Sequence, residues 1–161
     1  GSGMQELINE LRKVIEYAGA GGTITKESID KLCIKQIQAI IFDLTDYLGA
    51  RNVGKALEIL KKLEYNKEPV QKILITLYNH FKKLYIVKIS NEYKTNLAES
   101  MNLKPNQMFL TRKYSEQARY FSKEELRKIM DELINLDAGY KQGLIDLDIG
   151  LNAILCRYCS K

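Results

Sequence analysis

Apolar residues in nearly every segment of this chain recur at spacings of three and four, the period of one face of an α-helix. Leu7, Leu11, Val14 and Ile15 begin a helix that stops at the glycine-rich Gly19-Ala20-Gly21-Gly22. Thr25 is placed to cap a short helix with Ile29 and Leu32 on its apolar side. A second stripe runs through Ile37, Ile40, Ile41, Leu44, Tyr47 and Leu48 and ends near Gly49. Ala56, Leu57, Leu60 and Leu63 mark the next helix, and Pro69 suits the first turn of the one after, where its missing N–H is not needed. Leu74, Leu77, Tyr78, Phe81, Leu84 and Tyr85 make that helix long and central, and Pro105 opens a further helix in the same way. The pattern predicts an all-α helical bundle.

Ser122-Lys123-Glu124-Glu125 forms a capping box, with Phe121 and Leu126 placed as the hydrophobic staple beside it. Leu126, Ile129, Met130, Leu133, Leu136 and Tyr140 follow as one stripe, and Asp137 falls on it where periodicity asks for a hydrophobe. Lys141 lies four residues on, in the favourable acid-before-base order, and Gly143 offers the left-handed residue that ends a helix. These three residues read as structural. If Asp137 is core-facing, its replacement by Ala costs about 1–3 kcal/mol by stranding a donor. Asp146 caps the last helix, whose Leu147, Leu151, Ile154, Leu155 and Tyr158 face inward. Phe81, Lys82 and Tyr85 on the long helix are candidates for an interface, although the two aromatics fit the core equally well.

The glycine cluster and the Thr25 helix carry too little apolar surface to close a core of their own. Residues 4–35 therefore read as the end of an upstream domain and residues 36–161 as a single bundle. Gly1-Ser2-Gly3 ahead of Met4 reads as a cloning scar. Apolar residues make up 45% of the 161, with no uninterrupted run near membrane-spanning length, which points to a soluble protein with no membrane contact. Three cysteines, an odd number, fit a reducing cytoplasm better than a disulfide framework.

The net charge of +5 is uneven: between Lys82 and Lys128 there are eleven Lys or Arg against five Glu and no Asp, an excess of +6. Such a bias permits nucleic-acid contact, but a solvated helical face explains it as well. Thr95 to Leu110 can be read as a helix-turn-helix, with Ala98 at the helix contact, Asn102 at the turn, Met108 in the core, and Asn106, Gln107 and Arg112 free to read bases. A tight corner between two helices gives the same pattern, and Pro105 opens the recognition helix without a polar cap.

Catalytic chemistry finds no constellation. The phosphate-binding loop G-x-x-x-x-G-K-[ST] is absent, and the single His has no recognisable nucleophile partner. Cys156 and Cys159 have the spacing of half a zinc site that Cys33 and His80 would complete, but small thiols on helical stripes are usually packing residues. No metal and no cofactor are assigned.

The order of segments resembles one family. Asp137, Lys141 and Gly143 ahead of a short turn and a final Leu-rich helix are similar to the C-terminal end of the delta subunit of bacterial DNA polymerase III, a clamp-loader protein. Asn9-Glu10-Leu11-Arg12-Lys13 and Ile24 to Ile29 resemble the end of that family's lid domain, and Ile41-Phe42-Asp43-Leu44-Thr45-Asp46 the entry to its collar domain. Lys55 to Leu60, Glu68-Pro69, Asn79 to Leu84, Ala98 to Pro105 and Glu116 to Ser122 continue in the same order. The family's usual Gln-Phe-Arg is His80-Phe81-Lys82 here, and its frequent Pro is Leu147. The resemblance implies a non-ATPase subunit whose helical collar assembles with the ATPase and delta-prime clamp-loader subunits. It also implies that the AAA+-type domain that opens the sliding clamp is missing from this sequence, and that DNA is touched weakly if at all.

Overall fold

A computed structural model describes residue 9, residues 26–65 and residues 70–159. The expected helix of residues 7–15, the glycine cluster, the Thr25 cap and Pro69 lie outside the described residues, as do the side chains of Cys33 and Cys159. Among the described residues every regular element is helical: α1 (Lys26–Gly49), α2 (Val53–Tyr65), α3 (Val70–Tyr93), α4 (Leu97–Ser100), a 3₁₀ turn (Pro105–Gln107), α5 (Phe109–Ala118), α6 (Lys123–Lys141) and α7 (Leu147–Cys159).

The 24-residue α1 is one helix where the pattern suggested two. No Gly or Pro stands between Lys26 and Leu48, so nothing interrupts the ladder when the apolar stripe weakens. Its described side chains before residue 37 are exposed or half-buried, and Ile37 is the first described one that is buried.

At the centre of the bundle lies α3, which packs against α1, α4, α5 and α6. α6 runs antiparallel to it: Lys123 at the start of α6 pairs with Glu92 near the end of α3 at 3.0 Å, while Leu133 and Ile134 meet Leu74 and Tyr78 at the other end. α7 folds back onto α6 and closes against α1 and α2. The core follows from the stripes: Ile41, Leu44 and Leu48 of α1, Ile73, Leu77, Phe81 and Leu84 of α3, and Leu126, Ile129 and Leu133 of α6 are all buried.

Chain reversals use left-handed residues. Gly143 has φ +72°; its N–H donates to the Tyr140 carbonyl and that of Leu144 to the Gly139 carbonyl, both at 2.9 Å, which is a Schellman termination of α6. Arg51 (φ 60°) and Asn102 (φ 54°) do the same after α1 and α4 without the steric freedom of glycine. Arg51 has a compensating contact, since its guanidinium donates to the Tyr158 carbonyl in the last turn of α7, where a cation complements the helix dipole. Arg157 of α7 also pairs with Glu132 of α6.

Three expectations need correction. Asp137 sits at the rim of the bundle, 34% exposed, and its partner Lys141, 2.9 Å away, is 62% exposed, so the pair is a surface ion pair. Tyr140 is exposed because it lies a turn beyond Leu136, the last buried residue of α6. Met108 is exposed and Pro105 opens only a three-residue 3₁₀ turn. α4 is a single turn, Asn106 and Gln107 sit in the 3₁₀ turn, and Arg112 pairs with Glu116 at 3.1 Å, an arrangement without the two helices that the DNA-reading motif requires.

The two termination features differ in their expected energetic weight. Asp137→Ala lowers unfolding free energy by a few tenths of a kcal/mol, as for other exposed i,i+4 pairs. Gly143→Ala costs about 1 kcal/mol because a Cβ meets open space but strains the backbone. Urea unfolding of both variants checks the ranking, and an Asp137→Ala loss equal to or above that of Gly143→Ala contradicts it.

Candidate functional site

The most constrained chemistry in the bundle is a buried polar group where α1, α3 and α5 meet. Gln117 is a polar residue on the inward face of α5, next to Tyr114 and Ala118, and is almost completely buried. Its amide nitrogen donates to the Phe42 carbonyl at 2.8 Å and to Asp46 Oδ1 at 2.7 Å. Because both bonds use the amide as donor, its oxygen faces His80 Nε2 at 2.7 Å as an acceptor. His80 therefore carries its proton on Nε2. Its Nδ1 is buried and has no hydrogen-bond partner among the described residues.

Aromatic rings close around this group. Phe42 meets the His80 ring edge-on at a centroid distance of 4.6 Å, and Tyr114 packs on both, with its hydroxyl oxygen accepting from the Gln38 amide at 3.1 Å. Lys83 lies 5.4 Å from the Tyr114 ring and Lys113 lies 5.5 Å from the Phe42 ring, so two cations cover the outer faces. Burial lowers the Lys83 pKa, and it raises that of Tyr114 against the opposing Gln38 bond.

Burial likewise pushes the His80 pKa from 6.5 down to about 4, opposed by the Gln117 bond and assisted by the Lys83 charge. A neutral imidazole with a saturated Nε2, enclosed by rings, is a structural junction. Cys156, also weighed as a ligand, is exposed, and among the described residues no group of three or more metal-ligating side chains gathers.

The residues expected to matter for assembly fall in different places. Phe81 is buried and presents no surface, Tyr85 is half-buried, and Lys82 is exposed on the outer face of α3. Sequence reasoning missed Gln117 and Asp46 as core partners. The available signal was Gln117 itself, a polar residue three positions after Tyr114 and one before Ala118 on a stripe that is otherwise apolar.

Because the folded pKa of His80 lies below the unfolded 6.5, its neutral form contributes stability that is complete above about pH 6.5 and is lost as pH falls toward 4. The loss expected by pH 4 is on the order of 3 kcal/mol. Thermal unfolding between pH 7.5 and 4.5 should show the midpoint falling for the native chain and falling distinctly less for His80→Gln. Equal slopes for the two proteins would remove His80 as the cause.

Comparison with known proteins places this bundle. The family described as "DNA polymerase III delta subunit, C-terminal domain" matches residues 38–158. The chain is 27% identical to the DNA polymerase III subunit delta of Bacillus subtilis over 156 residues, covering 94% of this chain and 44% of that protein. It is 29% identical to the probable DNA polymerase III subunit delta of Aquifex aeolicus over 143 residues, covering 86% of this chain and 40% of that protein. The solved structure of the Bacillus subtilis DNA clamp loader delta protein superimposes with a TM-score of 0.72 at 26% identity, over 95% of this chain and 45% of that one. The chain thus spans less than half the length of these relatives. With a matched profile over most of its length and a bundle that superimposes on a delta protein, this chain belongs to the family formed by the C-terminal domain of the DNA polymerase III delta subunit.

Proposed function

We propose that this chain is the assembly part of a clamp-loader delta subunit acting in DNA replication, with residues 36–161 as the collar and residues 4–35 as the end of a lid domain. The family match over residues 38–158 carries the reading. α1 runs unbroken through the division between lid and collar, and Ile37, just after it, is the first described buried side chain of the helix. In this reading the collar holds its place among the ATPase and delta-prime subunits.

The chain works without catalysis of its own. This is supported by the state of its most perturbed group: His80 is buried, neutral and bonded through Nε2 to Gln117, which suits a fixed junction and not a proton-transfer site. A cytoplasmic location agrees with the cysteine usage, and among the described residues no helix is long and apolar enough to cross a membrane. DNA contact is weak, since Lys83 and Lys113 lie over aromatic rings and Lys123 and Arg112 pair with carboxylates, which leaves fewer free cations than the +6 of the middle segment implies.

Size-exclusion chromatography with light scattering on the chain mixed with ATPase and delta-prime subunits of a clamp loader should give a co-migrating complex. A parallel duplex-DNA titration should give little binding at moderate salt. Tight binding to DNA that falls steeply with salt, together with no complex, would overturn the proposal.

A further inference from the structure

α1 and α3 have the same length, 24 residues, but different outer faces. The outer face of α1 carries Lys35, Gln36 and Asp43, as expected of a helix that meets water. That of α3 carries Ile75 and Tyr93, 60% and 69% exposed, with the half-buried Tyr78, Ile86 and Ile89 and the exposed Lys82 on the same face at helical spacing. Exposed isoleucines on a helix face that also meets water mark that face as a candidate contact surface.

Beside this face lies α6, and the two form an open groove lined by Leu74, Ile75 and Tyr78 on one wall and Leu133, Ile134 and Asp137 on the other. Ile134 is 52% exposed. Asp137, the groove's charged lining residue, is already neutralised by Lys141. Seven residues from Ile75 on α3 stands Lys82, and seven residues from Ile134 on α6 stands Arg127. Because the helices run antiparallel, both steps go the same way along the groove, so two exposed cations lie together roughly 10 Å from the isoleucine pair. Neither forms an ion pair with a carboxylate among the described residues.

We infer that this groove is the docking site for an amphipathic helix from the collar of a neighbouring clamp-loader subunit, which places an apolar side chain between Ile75 and Ile134 and a carboxylate, two helical turns away, between Lys82 and Arg127. The inference rests on the assembly function proposed above. Charge complementarity selects the occupant: a helix with an acid seven residues from its apolar anchor satisfies both levels of the groove.

The test is the affinity of this chain for the ATPase and delta-prime subunits, measured by titration calorimetry. Ile75→Glu/Ile134→Glu is expected to weaken binding to one of the two subunits more than 100-fold, and Lys82→Glu/Arg127→Glu at least tenfold with loss of the salt dependence. Leu144→Glu/Ile149→Glu, on two exposed apolar residues away from the groove, should bind as the native chain does. Circular dichroism establishes that each variant is folded, and if the isoleucine variant is not, the charge-reversal variant decides. Native-like binding by the folded groove variants overturns the docking site and leaves the assembly function standing. Failure of the native chain to bind either subunit overturns both, and a groove-dependent homodimer that excludes the subunits overturns the choice of occupant.

Discussion

α3 carries a buried apolar row along most of its length, and the rest of the bundle is arranged to cover it. Ile73, Leu77 and Leu84 face the interior, and Leu74, Phe81 and Val87 extend the apolar surface to either side. At about 25 cal/mol for each Å² removed from water, a helix of this kind draws neighbours onto every face it can. α1, α5 and α6 cover three sides, and the outer side with Ile75 and Tyr78 stays open. The same constraint that organises the fold therefore defines the surface left for a partner.

Covering α3 brings polar groups inside, and their hydrogen bonds determine how the helices meet. Gln117 reaches a carbonyl and a carboxylate on α1 and the imidazole on α3, so one side chain ties three helices in a single orientation. An apolar residue of similar volume would pack there without specifying the rotation of α5 about its axis. The unpartnered Nδ1 of His80 is the cost of the arrangement, tolerated while the ring is neutral. His80 adds a proton-sensitive group to a junction that needs only a donor to the Gln117 oxygen.

Much of this is readable from residue spacing alone. The stripes through Ile41, Leu44 and Leu48, through Leu77, Phe81 and Leu84, and through Leu126, Ile129 and Leu133 give the helices and their inward faces. Ser122 accepts from the Glu125 N–H at 3.0 Å as its spacing implies, and Gly143 has the positive φ that its place after α6 requires. Both are local relations. The errors concern relations across the bundle. Periodicity puts Asp137 on a buried stripe, but burial depends on whether a neighbour reaches that turn, and only the open groove does. Gln117 meets His80 across 37 residues and Asp46 across 71, distances over which spacing carries no information. Met108 would belong to a core built by a longer second helix, and the 3₁₀ turn at Pro105 never builds it.

A closed polar junction makes the bundle rigid, and an apolar groove with a cation pair gives it something to hold. Hydroxyl-radical footprinting of this chain, alone and mixed with its clamp-loader neighbours, reads side-chain accessibility and so tests that claim most directly. The expected result is that Ile75, Tyr78 and Ile134 lose reactivity in the complex while Leu144 and Ile149 keep theirs. A complex that forms with Ile75 and Ile134 as reactive as in the free chain would contradict it.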